Sequence, residues 1–119
     1  MTILSSRWLL VLPLPPADQI FIDDIVIGTR FAMERNYPCE IFNLGNHKSE
    51  NIMNMIGILE DCIGKKATID FQPMQLGDVY ESFADIDKSM MMLKYKPTTN
   101  IADGVPIFFE WYKEYHKIK

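Results

Sequence analysis

A chain of 119 residues makes a single domain with a real but modest core. With 48% hydrophobic and 24% charged residues it has an ordinary globular make-up, and a net charge of −4 with a pI near 5.1 excludes a basic nucleic-acid footprint. Cys39 and Cys62 without CxxC spacing, and the distant His47 and His116, exclude a disulfide framework and a metal cluster, and reduced thiols suit a cytoplasmic protein.

The first segment differs from the rest. Trp8 to Leu12 is apolar and runs into Pro13, Pro15 and Pro16. Those prolines forbid a regular helix and favour an extended arm. The run is too short to span a bilayer and too interrupted for a signal peptide, so no membrane partner is expected. Residues 1–17 read as an apolar, extended leader that covers exposed surface, and residues 18–119 as a conventional domain.

Phe21-Ile22 reads as a short strand entering Asp23-Asp24, where an Asp can cap a helix to about Arg35. Ile22, Ile25, Val26, Thr29, Ala32 and Met33 give that helix its stripe, and Asn36-Tyr37-Pro38 ends it. Glu40 to Leu44 reads as a strand closed by Gly45-Asn46. Ser49 is the expected N-cap of a second helix with Ile52, Met55, Ile56, Leu59 and Ile63 on one face, stopped by Gly64. Ala67 to Phe71 and Phe83-Ala84 read as further strands, and Asp85 as the cap of a short helix to Met92 or Leu93. Pro97 breaks the chain before a last helix from about Ile101 to His116, striped by Ile101, Val105, Phe108, Tyr112 and Tyr115. Lys113, Lys117 and Lys119 complement the dipole at its end. The alternation predicts an α/β fold: three to four helices with short, mostly parallel strands. Ile58, Cys62, Ile107, Phe109 and Trp111 lie off the stripes, more apolar surface than so few strands can cover.

Several segments, in order, resemble one family. Phe21-Ile22-Asp23-Asp24-Ile25-Val26 and Ile41-Phe42-Asn43-Leu44-Gly45-Asn46 resemble the aromatic-Ile-Asp-Asp and aromatic-Asn-hydrophobic-Gly segments of extended short-chain dehydrogenase/reductases. Met74-Gln75-Leu76-Gly77-Asp78-Val79, Phe83-Ala84-Asp85, Tyr95-Lys96-Pro97 and Phe109-Glu110-Trp111-Tyr112 resemble the UDP-glucuronate 4-epimerase branch. The resemblance covers about Asp18 to His116 and implies the substrate-side C-terminal part of such an enzyme, without its main Rossmann domain.

It further implies substrate-binding roles for two residues. Asp78 stands where the family's Asp accepts from the nucleotide ribose, a task suited to a carboxylate; its alternative reading is a loop-capping Asp beside Gly77. Gln75 stands where many relatives hold the diphosphate with an Arg, and Ala17 replaces a second family Arg, so a bound UDP-sugar is expected to be held weakly. The family uses NAD, but the glycines at 28, 45, 57, 64, 77 and 104 never cluster into a pyrophosphate-binding turn. No cofactor is therefore expected on this chain. The lone Tyr-x-x-x-Lys, Tyr115 and Lys119, ends the last helix without a dinucleotide site and reads as coincidence, leaving no catalytic residue. Two function classes follow: an epimerase fragment completed by a separately encoded Rossmann half, or an interaction module whose uncovered helices dimerise or dock a partner. A gene remnant with no current role fits either pattern. Uncovered helix faces predict a homodimer or a leader-covered monomer.

Overall fold

The computed structural model describes residues 9–12, 16–74, 76–77 and 79–118. Four helices carry the fold: α1 (Ile22–Arg35), α2 (Ile52–Ile63), α3 (Asp87–Leu93) and α4 (Ile101–His116). The strands are short: β1 (Leu9–Leu12), β2 (Ala17–Asp18), β3 (Ser49–Glu50) and β4 (Thr68–Phe71). β1 pairs in parallel with β4, from Leu9 opposite Thr68 to Leu12 opposite Phe71. β2 pairs antiparallel with β3, and a single parallel bridge joins Ala17 to Ser82. This is the small α/β arrangement expected, with α1 packed on α3 and α2 on α4.

Helix ends follow local chemistry. α1 closes at Asn36 and α2 at Gly64, both in the left-handed conformation that exposes the last carbonyls to capping amides. Asn100 starts α4: its Oδ1 accepts from the Asp103 amide at 3.0 Å, and its Nδ2 donates to Asp103 Oδ2 at 2.7 Å. Asn51, rather than Ser49, caps α2 by accepting from the Met53 amide, because Ser49 is held in β3. After α2, Glu60 accepts from Lys66 Nζ at 2.6 Å and the Ala67 amide at 2.7 Å, fixing the turn into β4. The Lys66 hydrogen bond, then that of Ala67, holds the Glu60 carboxyl below its ordinary range.

Strand expectations fare less well than helix ends. Phe21 precedes α1 as an extended residue without strand pairing, and Ile22 is already helical. Residues 40–44 and 83–84 also form no named strand; at the latter only the bridge at Ser82 is present. A strand exists through its neighbour's hydrogen bonds, which a sequence pattern alone does not supply.

The buried face of α1 also departs from its apolar stripe. Asp24 and Gly28 are buried and Phe31 and Ala32 pack on the core, whereas Ile22, Val26 and Met33 face outward, Met33 at 76% exposure. Asp23 and Asp24 do not cap the helix. Asp24 instead accepts from the Thr98 amide and hydroxyl, both at 3.1 Å, and from the Thr99 amide at 3.0 Å. These bonds tether the chain between α3 and α4 to the start of α1.

The core is small: Ile86, Leu93 and Tyr95, joined by Ile20, Phe31, Ala32, Phe42, Leu44 and Ala84. Tyr95 is its largest member and 1% exposed; its hydroxyl donates to the Gly45 carbonyl at 3.0 Å. Its ring lies so close to α1 that a Cβ on Gly28 would stand 2.9 Å from it and 2.7 Å from Leu44. Burial first, then the Asp24 and Asp18 carboxylates, push the phenol from 10.0 up to about 12. The folded state thus holds this proton more tightly than the unfolded chain. Its contribution is intact below pH 10.0 and is lost as pH rises toward about 12. Between about pH 9 and pH 11 the protein should lose about 1.4 kcal/mol through this group. Tyr95→Phe should lack that increment, as urea unfolding of both proteins at the two pH values will read.

Candidate functional site

The loop between β4 and α3 carries the residues singled out for substrate binding. Gln75 and Asp78 themselves lie outside the described residues. Their neighbours Leu76, Val79 and Tyr80 are exposed, and Gly77 turns the chain with φ at 98°. These described residues of the loop thus stand on the surface, between anchors at its two ends.

β4 is the first anchor. At the second, the Ser82 amide donates to the Pro16 carbonyl at 3.1 Å, and Glu81 accepts from the Ser49 hydroxyl. Two residues on, the Ala84 amide donates to Asp18 Oδ2 at 3.2 Å. Asp18 also takes the Asn46 amide on both oxygens, at 2.8 and 2.9 Å, and Asn46 Nδ2 donates to the Gln19 carbonyl at 3.0 Å. One carboxylate therefore gathers β2, the Gly45-Asn46 turn and the return of the loop. Nothing larger than glycine fits at 45: a Cβ there would lie 2.4 Å from Asp18 Oδ2 and 2.5 Å from the Ala84 methyl.

Asp85 completes the exit by accepting from the Asp87 amide at 3.0 Å, one residue before the capping position of α3. The capping position is thus Ile86 and not Asp85 as expected, although the Asp85 side chain still bonds the first helical residue.

A separate apolar groove of about 370 Å³ lies between the entry to α1 and the facing sides of α2 and α4. Ile20, Phe21, Met55, Leu59, Ile101 and Val105 are among its walls. It offers hydrophobic contact rather than charged groups for a diphosphate. Among the described residues no three His, Cys, Asp or Glu side chains converge on a metal position. Tyr115 is 69% exposed and stacks on Trp111 at 5.3 Å, as one rung of an aromatic ladder along α4. Lys119 lies outside the described residues.

Asp24 and Tyr95 stand in motifs and Asp18 at the domain boundary, and no local signal marks their tertiary roles. Their partners Asn46, Thr98-Thr99 and Gly28 lie far away in the chain.

No family model matches the chain. Individual proteins do. It is 41% identical over 97 residues to an uncharacterized protein of Methanocaldococcus jannaschii, covering 82% of this chain and 30% of that protein. It is 38% identical over 98 residues to the UDP-glucuronate 4-epimerase of Thermodesulfobacterium geofontis, again 82% of this chain and 30% of the enzyme. The Bacillus cereus UDP-glucuronic acid 4-epimerase, solved with UDP-glucuronic acid and NAD, superposes with a TM-score of 0.72 at 32% identity. That match covers 82% of this chain and 32% of the enzyme. The chain thus spans about a third of the length of its relatives. Those with a stated activity include UDP-glucuronate and UDP-glucose epimerases of the NAD-dependent short-chain dehydrogenase/reductase type, matched over their C-terminal part only. The resemblance noted in the sequence is a true homology.

The anchoring of the loop has a direct test. Asp18→Ala removes the acceptor shared by Asn46 and Ala84 and should destabilise the fold by about 1.5–3 kcal/mol, read as a lowered urea midpoint with unchanged slope.

Proposed function

We propose that this chain is the substrate-side part of an NAD-dependent nucleotide-sugar epimerase of the UDP-glucuronate type, inactive by itself and completed by a Rossmann half. The observation that carries this reading is the 38% identity over 98 residues to a UDP-glucuronate 4-epimerase, confined to 30% of that enzyme. In the complete reaction NAD would oxidise the sugar at C4 and return hydride to the opposite face. The two-part organisation, a leader over 1–17 and a substrate-side domain over 18–119, belongs to the same reading, with the cytoplasm as its place.

Within it, Asp78 accepts from the ribose hydroxyls and Gln75 lies along the diphosphate. Their described neighbours Leu76, Val79 and Tyr80 are exposed, and the segments on either side are held by β4 and Asp18. A neutral amide in place of an arginine gives up the bidentate charged contact, so affinity for the nucleotide is low. NAD finds no glycine-rich turn on this chain, whose glycines stand singly.

A second reading is supported by the outward-facing apolar side chains. Val26 is 56% exposed, and Ile107, Phe108 and Trp111 also lie open. A homodimer that covers these faces would make the chain a free-standing interaction module.

Titration with UDP, UDP-glucuronate and NAD, followed by chemical shifts, separates the two. The epimerase reading expects shifts from the uridine nucleotides around Met74 to Val79, none from NAD, and no turnover of UDP-glucuronate. Asp78→Ala should weaken nucleotide binding by about 1.5–3 kcal/mol. Equal affinity in that variant would remove Asp78 from the site. A stable dimer without nucleotide shifts would favour the interaction module.

A further inference from the structure

α4 packs on α2 and buries Ile101 and Gly104, yet its outward side is apolar as well. Phe108, Trp111 and Tyr115 follow at steps of three and four residues and so share one face, with Ile107 beside them. Past the left-handed cap at Lys117, the Ile118 amide donates back to the Lys113 carbonyl at 2.9 Å. Ile118 and Trp111 then line one shallow depression. These five side chains are 45% to 69% exposed. An aromatic side chain offers about 150–250 Å² to burial, so the row with its two isoleucines leaves about 500 Å² open. Pairing the row with its own copy would cover about 1,000 Å² in all, the lower limit for a specific interface.

Charge decides how a copy can lie on it. Glu110, Lys113, Glu114 and Lys117 line the same depression and form a strip along one flank of the rings. Their signs are complementary to the same strip turned end to end. About a two-fold axis crossing α4 near residues 113 and 114, Glu110 meets Lys117 of the second copy, and Lys113 meets its Glu114. The same axis sets Trp111 against Tyr115 and Phe108 against Ile118, so rings and charges share one centre. A parallel copy in register would set Glu on Glu and Lys on Lys. Within one copy Lys113 Nζ reaches Glu110 Oε1 at 2.7 Å. Among the described residues Glu114 and Lys117 form no ion pair. Surface ion pairs add little affinity, but their pattern selects orientation.

We propose that the outward face of α4 is a self-complementary surface that binds a second copy of this chain, the two α4 helices lying antiparallel. This rests on the interaction-module reading above and names the surface and register of its dimer. It asks nothing of the exposed stripe of α1, which carries no matching strip of charge.

The test is sedimentation equilibrium of the full chain at low salt, where surface charge is least screened. The chain should dimerise, and Trp111→Ala should weaken the dimer at least about thirty-fold, as loss of a central aromatic contact does. Glu110→Lys and Lys117→Glu should each dimerise at least about ten-fold more weakly, because each sets like charges across the axis. An equimolar mixture of those two variants should dimerise as well as the parent chain, since only the mixed pair sets opposite charges together. That recovery also shows that both variants are folded. Weakened variants that do not recover on mixing would overturn the antiparallel register. A dimer of equal strength in all three variants would overturn the α4 surface and leave the interaction module standing. A chain that stays monomeric at every concentration would overturn both and leave the epimerase reading untouched.

Discussion

The ring of Tyr95 is the constraint on which the rest of the structure depends. It fills the space between α1 and the segment that leads to Gly45, and both must come close to reach it. α1 comes close because residue 28 has no side chain. The turn at Gly45 comes close because its carbonyl accepts a hydrogen bond from the Tyr95 hydroxyl. Leu93 and Ile86, buried at the two ends of α3, then complete a core that would otherwise have no centre. A phenol can do this because it brings a large apolar body and one polar end to a site that has one acceptor.

Two carboxylates frame that ring. Asp18 gathers amides from Asn46 and Ala84, and Asp24 gathers groups from Thr98 and Thr99. Each links segments far apart in sequence, Asp24 across more than seventy residues, and among the described residues neither pairs with a basic side chain. Backbone amides can hold a carboxylate in this way because several point at it at once and their geometry is fixed. The arrangement gives specificity to a fold whose apolar core is small. It also explains why Asp24 is 2% exposed with its demands met.

How much of this could be read from the sequence divides along the range of the interaction. α1 and α2 stop, and α4 starts, where the pattern says they should, because Asn36, Gly64 and Asn100 act on residues within one turn. β4 was readable to within a residue from its Thr-Ile-Asp-Phe run. The strand expected at 40–44 does not form: its alternation of burial is present, but pairing is a property of a neighbour. Asp24 was misassigned as a cap because a local use for an Asp at a helix start is common, and its true partners lie beyond Pro97. The substrate loop was legible only through resemblance. Nothing in Gln75 or Asp78 by composition or spacing distinguishes a ribose contact from a turn residue.

The outward apolar faces are not equivalent, and the difference shows which of them most needs a cover. Along α4, Phe108 meets Trp111 and Tyr112, Trp111 stacks on Tyr115, and Tyr112 meets His116 with centroids 4.3 Å apart. These rings stand three and four residues apart on one helix and shield part of each other's surface. α1 has no such relief. Val26 and Met33 stand out from a helix whose other side is committed to Tyr95 and Leu44, and no ring covers them. Burying a side chain of that size contributes about 1.5–3 kcal/mol, comparable with one of the charged hydrogen bonds that hold the frame together. Three members of the stripe that made α1 recognisable as a helix, Ile22, Val26 and Met33, are thus left exposed. Its apolar periodicity fits a layer that this chain does not itself provide, while its few polar and small positions, Asp24 and Gly28, serve the contacts that it does.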